Sequence, residues 1–205
     1  MRELFMVWST KSKFLSVLTE DRAMKKIPVV LFTLCLVFFG HSGVVYSQVY
    51  DVFLYLEGIE GESIGLDHEN EIDVLSWSWQ MSSSSAMHVG GGGGVGEVIV
   101  RPMVIHKQID KSSPLISLSL LKGSPIPEAV LTIRKAGENP INIARITMKN
   151  VWIIHHSVEG EGTMVSEKVA LAFGSICYQY TPQNIDGSTG AVIEKCWNLE
   201  TKVEF

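Results

Sequence analysis

At 205 residues, 46% hydrophobic and 19% charged, the chain holds enough apolar content for one filled core and lacks the low-hydrophobicity signature of disorder. Residues 1–47 carry six Lys or Arg against three acids, whereas residues 48–205 carry eleven against nineteen, so the body stands at −8. A body that acidic has no general attraction for phosphate backbones, which argues against a nucleic-acid partner.

From Met24 the chain reads two lysines, an apolar run from Ile27 to Phe39, and small or polar residues ending in Val45-Tyr46-Ser47. This is the three-part layout of a secretory signal peptide over 24–47, with the cut between Ser47 and Gln48. The apolar run is too short for a membrane span, which needs about 20 residues. Residues 1–23 add nothing typical of export, and Met24 can serve as the start. The expected organisation is therefore an N-terminal extension, 1–47, and a body, 48–205.

Period-2 or β-branched runs dominate the body: Tyr50 to Leu56, Ile72 to Gln80, Glu97 to His106, Ala129 to Arg134, Ile141 to Val151, Trp152 to Val158, Lys168 to Thr181 and Val192 to Val203. Short strands separated by Gly, Pro, Ser and Asn predict a sandwich or barrel. Between the first two, Asp67-His68-Glu69-Asn70-Glu71-Ile72-Asp73 alternates acids, but Ile72 stands where a calcium loop needs Gly and Ser78 where it needs Glu. It reads as a solvated loop. Trp77 and Trp79 share one strand face and are expected in the core, with a ligand platform or subunit interface as the sharper reading.

Six glycines fall within Gly90 to Gly96, and Gly91, Gly93 and Gly96 formally fit a dinucleotide-binding spacing. That mechanism needs a helix opening after the glycines, whereas Glu97-Val98-Ile99-Val100 is a strand, and no Lys-Ser or Lys-Thr pair follows. The glycines read instead as a long loop between strands. One helix is expected further on, with Ser112 or Ser113 as N-cap, Pro114 at its first position and Gly123 as its stop. Its Leu115, Leu118 and Leu121, with Ile116 and Leu120 beside them, predict a broad apolar face lying on a sheet.

His155 and His156 are strand neighbours pointing to opposite faces, so they do not grip one metal together, and no metal or cofactor set is assigned. No serine sits in a G-x-S-x-G elbow and no cysteine has an activating histidine neighbour, so no catalytic residue is assigned and a non-enzyme is expected. With residues 1–47 removed, Cys177 and Cys196 remain of three cysteines. A hairpin centred near Ile185 to Gly187 would set them opposite or nearly opposite each other. Export would let them pair, while a reducing cytosol would leave two small buried side chains. Alternation over Phe173 to Tyr180 is incomplete, as expected where a barrel's outside meets other subunits.

Taken in order, Asp51-Val52-Phe53-Leu54-Tyr55-Leu56-Glu57-Gly58-Ile59-Glu60-Gly61-Glu62-Ser63, Ile72 to Trp79, Met87-His88-Val89 with the glycines, Ile109 to Pro114, Ala129 to Gly137, Tyr180-Thr181-Pro182-Gln183 and Cys196-Trp197-Asn198-Leu199 resemble the Hcp family, the haemolysin-coregulated tube proteins of type VI secretion. The resemblance covers about Tyr50 to Phe205. It implies a small β-barrel of two antiparallel sheets with one flanking helix, assembling as a hexameric ring whose copies stack into a tube. Implied partners are the type VI sheath and spike proteins and small effector proteins held in the ring's lumen, and the implied destination is the extracellular medium. The loop Ser82 to Gly96 becomes a candidate ring-stacking contact through Met87, His88, Gly90, Gly91, Gly92, Gly93, Gly94 and Gly96. The signal-like segment departs from the family pattern, because tube subunits are loaded from the cytoplasm. Either translation starts near Val49 and the chain is an ordinary tube subunit, or the signal is used and the chain is an exported ring, periplasmic or extracellular, that binds proteins outside the secretion machine.

Overall fold

The computed structural model of the chain describes residues 49–85, 95–137, 139–162 and 164–205. The extension 1–47 with its signal-like segment lies outside the described residues, as do Met87, His88, Gly90, Gly91, Gly92, Gly93 and Gly94.

Among the described residues, ten strands and one helix follow each other as β1 (Tyr50–Leu56), β2 (Ile72–Ser78), β3 (Met81–Ser85), β4 (Val95–Val100), β5 (Met103–Gln108), α1 (Ser113–Lys122), β6 (Ile126–Lys135), β7 (Ile141–Glu161), β8 (Met164–Tyr180), β9 (Ile193–Asn198) and β10 (Val203–Glu204). Hydrogen bonding runs β8-β5-β2-β1-β6-β7, and β7 then pairs back to β8. The result is a closed six-stranded antiparallel barrel flanked by one helix. Closure leaves no free edge among these six, which removes the usual hazard of unpaired backbone.

Period-2 patterning builds the core. On β5, Met103, Ile105 and Lys107 are all buried, and on β8 Glu167, Val169 and Leu171 are buried likewise. Inward residues of β1, β6 and β7 complete the cluster with Leu54, Leu56, Ala129, Leu131, Ile146 and Met148. Trp77 and Trp79 are half-buried and pack against it, in keeping with their expected core role.

Several boundaries differ from the sequence expectation. The run Glu97 to His106 divides at Arg101-Pro102 into β4 and β5, since proline cannot donate to a ladder. Ile141 to Val158, expected as two strands, lies within one 21-residue strand, Ile141–Glu161, with a register shift between Ile153 and His155. The segment from Val192 to Val203 is a tight hairpin of β9 and β10 rather than one strand. Ser82–Ser85 and Gly96, expected within the glycine loop, belong to the β3–β4 ribbon, with Met81 opposite Val100 and Ser85 opposite Val95.

The acidic segment after β1 is not simply solvated. His68 is 6% exposed, stacks on Phe53 at 4.3 Å with rings 5° apart, and lies 3.0 Å from Glu71 through Nδ1. The Arg134 guanidinium sits 4.6 Å from the same Phe53 ring and donates to the Leu66 carbonyl, so one aromatic ring anchors the whole loop to the barrel. Gly61 lets this loop close: a Cβ there would lie 2.4 Å from the Glu71 carbonyl oxygen.

Candidate assembly surface

Helix α1 docks on β7 through a face the leucine spacing did not foretell. Ser113 and Ile116 are buried, and the Ser117 hydroxyl is hydrogen bonded to His156 Nδ1 at 2.9 Å. Leu115, Leu118 and Leu121 instead point outward, 43%, 43% and 84% exposed. The expectation that these three leucines lie on the sheet is corrected, whereas Ile116 and Leu120 of the same expected face do pack on the core, on the side that also carries Ser113 and Ser117. Gly123 does stop the helix in the left-handed region at φ 58°, while Ser112 makes no side-chain cap. Asp110 takes that role, accepting hydrogen bonds from the Ser112 N–H at 2.9 Å and from its hydroxyl.

What holds the helix N-terminus is a buried polar cluster. Lys107 Nζ, fully buried, donates to Glu167 Oε2, Asp110 Oδ1 and the Gln108 carbonyl at 2.8 Å each, and to Ser113 Oγ at 3.0 Å. Four acceptors exceed an ammonium's three hydrogens, so one is shared. Ser113 Oγ in turn donates to Glu167 Oε2 at 2.8 Å, and His156 Nε2 stands 3.4 Å from Glu167 Oε1, at ion-pair distance but without a hydrogen bond. A serine beside a lysine and a carboxylate has the parts of a nucleophilic centre. Here the serine is 6% exposed and the lysine and glutamate are sealed, so their hydrogen bonds fasten α1 to β5 and β8.

Burial pushes the Asp110 carboxyl up, but the hydrogen bonds from Lys107 and Ser112, together with the lysine charge, outweigh it and hold the carboxyl below its ordinary value. A depressed folded value contributes stability that is present above the unfolded value, about 4, and lost as pH falls through the folded one. Chemical unfolding at neutral pH and at about pH 3 should therefore show wild type losing more stability than Asp110→Asn, whose neutral-pH stability is already lower.

The outside of the barrel is unusually apolar in three places. The first is the leucine face of α1. The second is the β3–β4 ribbon, where Met81, Val98 and Ile99 are more than half exposed. The third adjoins it: Ile176, Trp197 and Leu199 face Trp79, Met81 and Val98 across a groove of about 280 Å³, with Tyr178 close by. Isolated exposed hydrophobics are ordinary, but adjoining ones mark interaction surfaces. They also account for the incomplete alternation of β8, whose outward residues are covered only in part. Of the named stacking candidates, Met87, His88, Gly90–Gly94 and Gly96, Gly96 alone is described, on β4 at the root of the ribbon.

Cys177 and Cys196 are direct register partners on β8 and β9, and a disulfide joins them. Lys107, Glu167 and the burial of His68 were missed from sequence, although Lys107 has the parity of buried Met103 and Ile105, and Glu167 that of Val169 and Leu171.

The family model for "Type VI secretion system effector, Hcp" matches residues 53–180, more than half of the chain. Protein hcp1 of Pseudomonas aeruginosa is 44% identical over 158 residues, spanning 75% of this chain and 98% of that protein. The crystal structure of Hcp1 from Salmonella typhimurium superposes with a TM-score of 0.65 at 31% identity, covering 77% of this chain and all of that one. A type VI secretion system effector from Yersinia pestis gives 0.60 at 27% identity, over 72% of this chain and 99% of that one. The chain belongs to the Hcp family, the tube proteins of type VI secretion.

Proposed function

We propose that this tube subunit assembles as a homo-hexameric ring, that the rings stack, and that the stack works inside the type VI sheath beneath the spike, carrying small effector proteins in its lumen. The observation that carries this reading is the apolar surface a lone barrel leaves open: the outward leucines of α1 and the ribbon with its groove at Trp197. The protein acts by binding and not by catalysis, a reading supported by the enclosure of the Ser113, Lys107 and Glu167 cluster. No nucleic acid enters, given the acidic body.

The loop at Met87, His88, Gly90–Gly94 and Gly96 is assigned to the contact between rings. Glycine suits a contact that must form and dissolve, because its backbone adapts without side-chain obstruction. Replacing Gly91–Gly94 with alanine should leave the hexamer and its unfolding temperature nearly unchanged and shorten the stacks several-fold, as read by sedimentation and electron microscopy. Equal loss of folding and stacking would defeat the assignment.

The route of secretion is tested separately, by mass spectrometry of the N-terminal peptide from cytoplasm, periplasm and medium. A tube subunit is recovered from cytoplasm and medium without a cut at Gln48. A chain starting at Gln48 and confined to the periplasm would overturn the tube route.

A further inference from the structure

Three metal-binding side chains converge where β8 meets β9. Cys177 faces Cys196 directly across the ladder, and Glu194 precedes Cys196 by two residues, which puts both on one face of β9. The two sulfurs and a Glu194 carboxylate oxygen all lie within 4.8 Å of one another. A tetrahedral zinc site needs metal–sulfur distances of about 2.3 Å and metal–oxygen distances of about 2.1 Å, which sets donor atoms roughly 3.5–3.8 Å apart. Side-chain rotation alone covers that difference, since Glu194 is exposed and both cysteines are half-buried. The position is also reachable: β10 pairs only with Asn198 and Trp197, leaving the β9 edge beside Glu194 and Cys196 unpaired by it.

We propose that, once its disulfide is reduced, each chain binds one thiophilic divalent cation such as zinc or cadmium through the thiolates of Cys177 and Cys196 and the carboxylate of Glu194, with water completing the tetrahedron. The disulfide and the cation exclude each other, because sulfurs bonded to one another carry no thiolate charge. A trialkylphosphine takes the pair to two thiols and becomes the phosphine oxide, with oxygen and two protons supplied by water. Cation binding then releases both thiol protons to solvent. The cross-strand tie is thus kept in two forms, covalent under oxidising conditions and metal-bridged under reducing ones.

The test uses the full chain carrying Cys35→Ser, so that only this pair titrates. After phosphine reduction and anaerobic desalting, cadmium is added while the thiolate-to-metal charge-transfer band is followed in the ultraviolet. The expected result is saturation at one cadmium per chain, no band for the oxidised protein, and an affinity at least about tenfold lower for Glu194→Gln, since even an outer partner of a metal ligand is worth that much. Glu194 is exposed, so this variant folds, and a circular dichroism spectrum confirms it. A reduced protein that gives no saturable band overturns the proposal. So does an oxidised protein that gives one, or a Glu194→Gln affinity equal to the parent's.

Discussion

Lys107→Met should lower stability by about 3–5 kcal/mol, the cost of stranding buried charge by removing one partner. For a chain of this size that is a fall in melting temperature of roughly 6–20 °C. The methionine fills most of the lysine's volume, so a cavity contributes little. What remains is a Glu167 carboxylate that is 2% exposed, an Asp110 carboxylate and the Ser113 hydroxyl, all deprived of the ammonium that donated to them. Glu167 retains the Ser113 hydroxyl and the nearby His156 ring, which do not replace a full positive charge. Glu167→Gln should cost less, because the amide oxygen still accepts from Lys107 and Asp110 still balances its charge.

A double variant decides whether the loss comes from charge or from shape. Lys107→Met with Glu167→Leu replaces the cross-strand pair by apolar groups and leaves only Asp110, at the cluster's margin, without its cation. Buried ion pairs replaced as a pair are often neutral, so the double variant should be more stable than Lys107→Met alone. A double variant as unstable as the sum of its singles would show that packing, and not stranded charge, holds this end of the barrel. Because the same cluster seats Ser113 and thereby α1, ring assembly should weaken in Lys107→Met at temperatures where the barrel itself is still folded. Size-exclusion chromatography with light scattering reads that effect directly.

The strands were legible because half-buried β-structure writes its period into the sequence. β5 alternates between buried Met103, Ile105 and Lys107 and half-buried Val104 and His106, and the proline at 102 marks a true interruption even though the residues around it read as one run. The continuity of β7 was not legible: the runs divide between Val151 and Trp152 in sequence, yet the pairing with β8 passes unbroken from Val151 to Trp152, beyond Asn150 with its left-handed φ of 54°. The helix was visible in its limits and invisible in its orientation. Its five apolar residues at 115, 116, 118, 120 and 121 surround the axis, so hydrophobicity does not choose a face. The docked side is the one where Ile116 and Leu120 pack on the core and Ser113 and Ser117 hydrogen bond to groups more than thirty residues away in sequence. The same is true of Lys107, which looks like a surface lysine until Glu167 is set opposite it by register.

Cys177→Ser with Cys196→Ser should cost about 3 kcal/mol relative to the oxidised protein, because the bond closes a loop with a sequence separation of 19 residues and restricts the unfolded chain accordingly. Melting temperature should fall by roughly 6–12 °C. The restriction falls on the weakest part of the sheet: β9 pairs with β8 on one side and with only two residues of β10 on the other. Between the cysteines lies the Pro182–Gly190 turn, whose order depends on small polar contacts such as the Asp186 carboxylate accepting from Ser188. Reduced wild type, kept in chelator so that no cation bridges the thiols, should melt with the double serine variant. Amide exchange should then quicken first over Ile193–Asn198, while Met103–Gln108 on the closed barrel stays protected. If oxidised and reduced proteins melt together, the β9 segment is already unpaired when the barrel unfolds. The bond would then tie down an edge without contributing to the core.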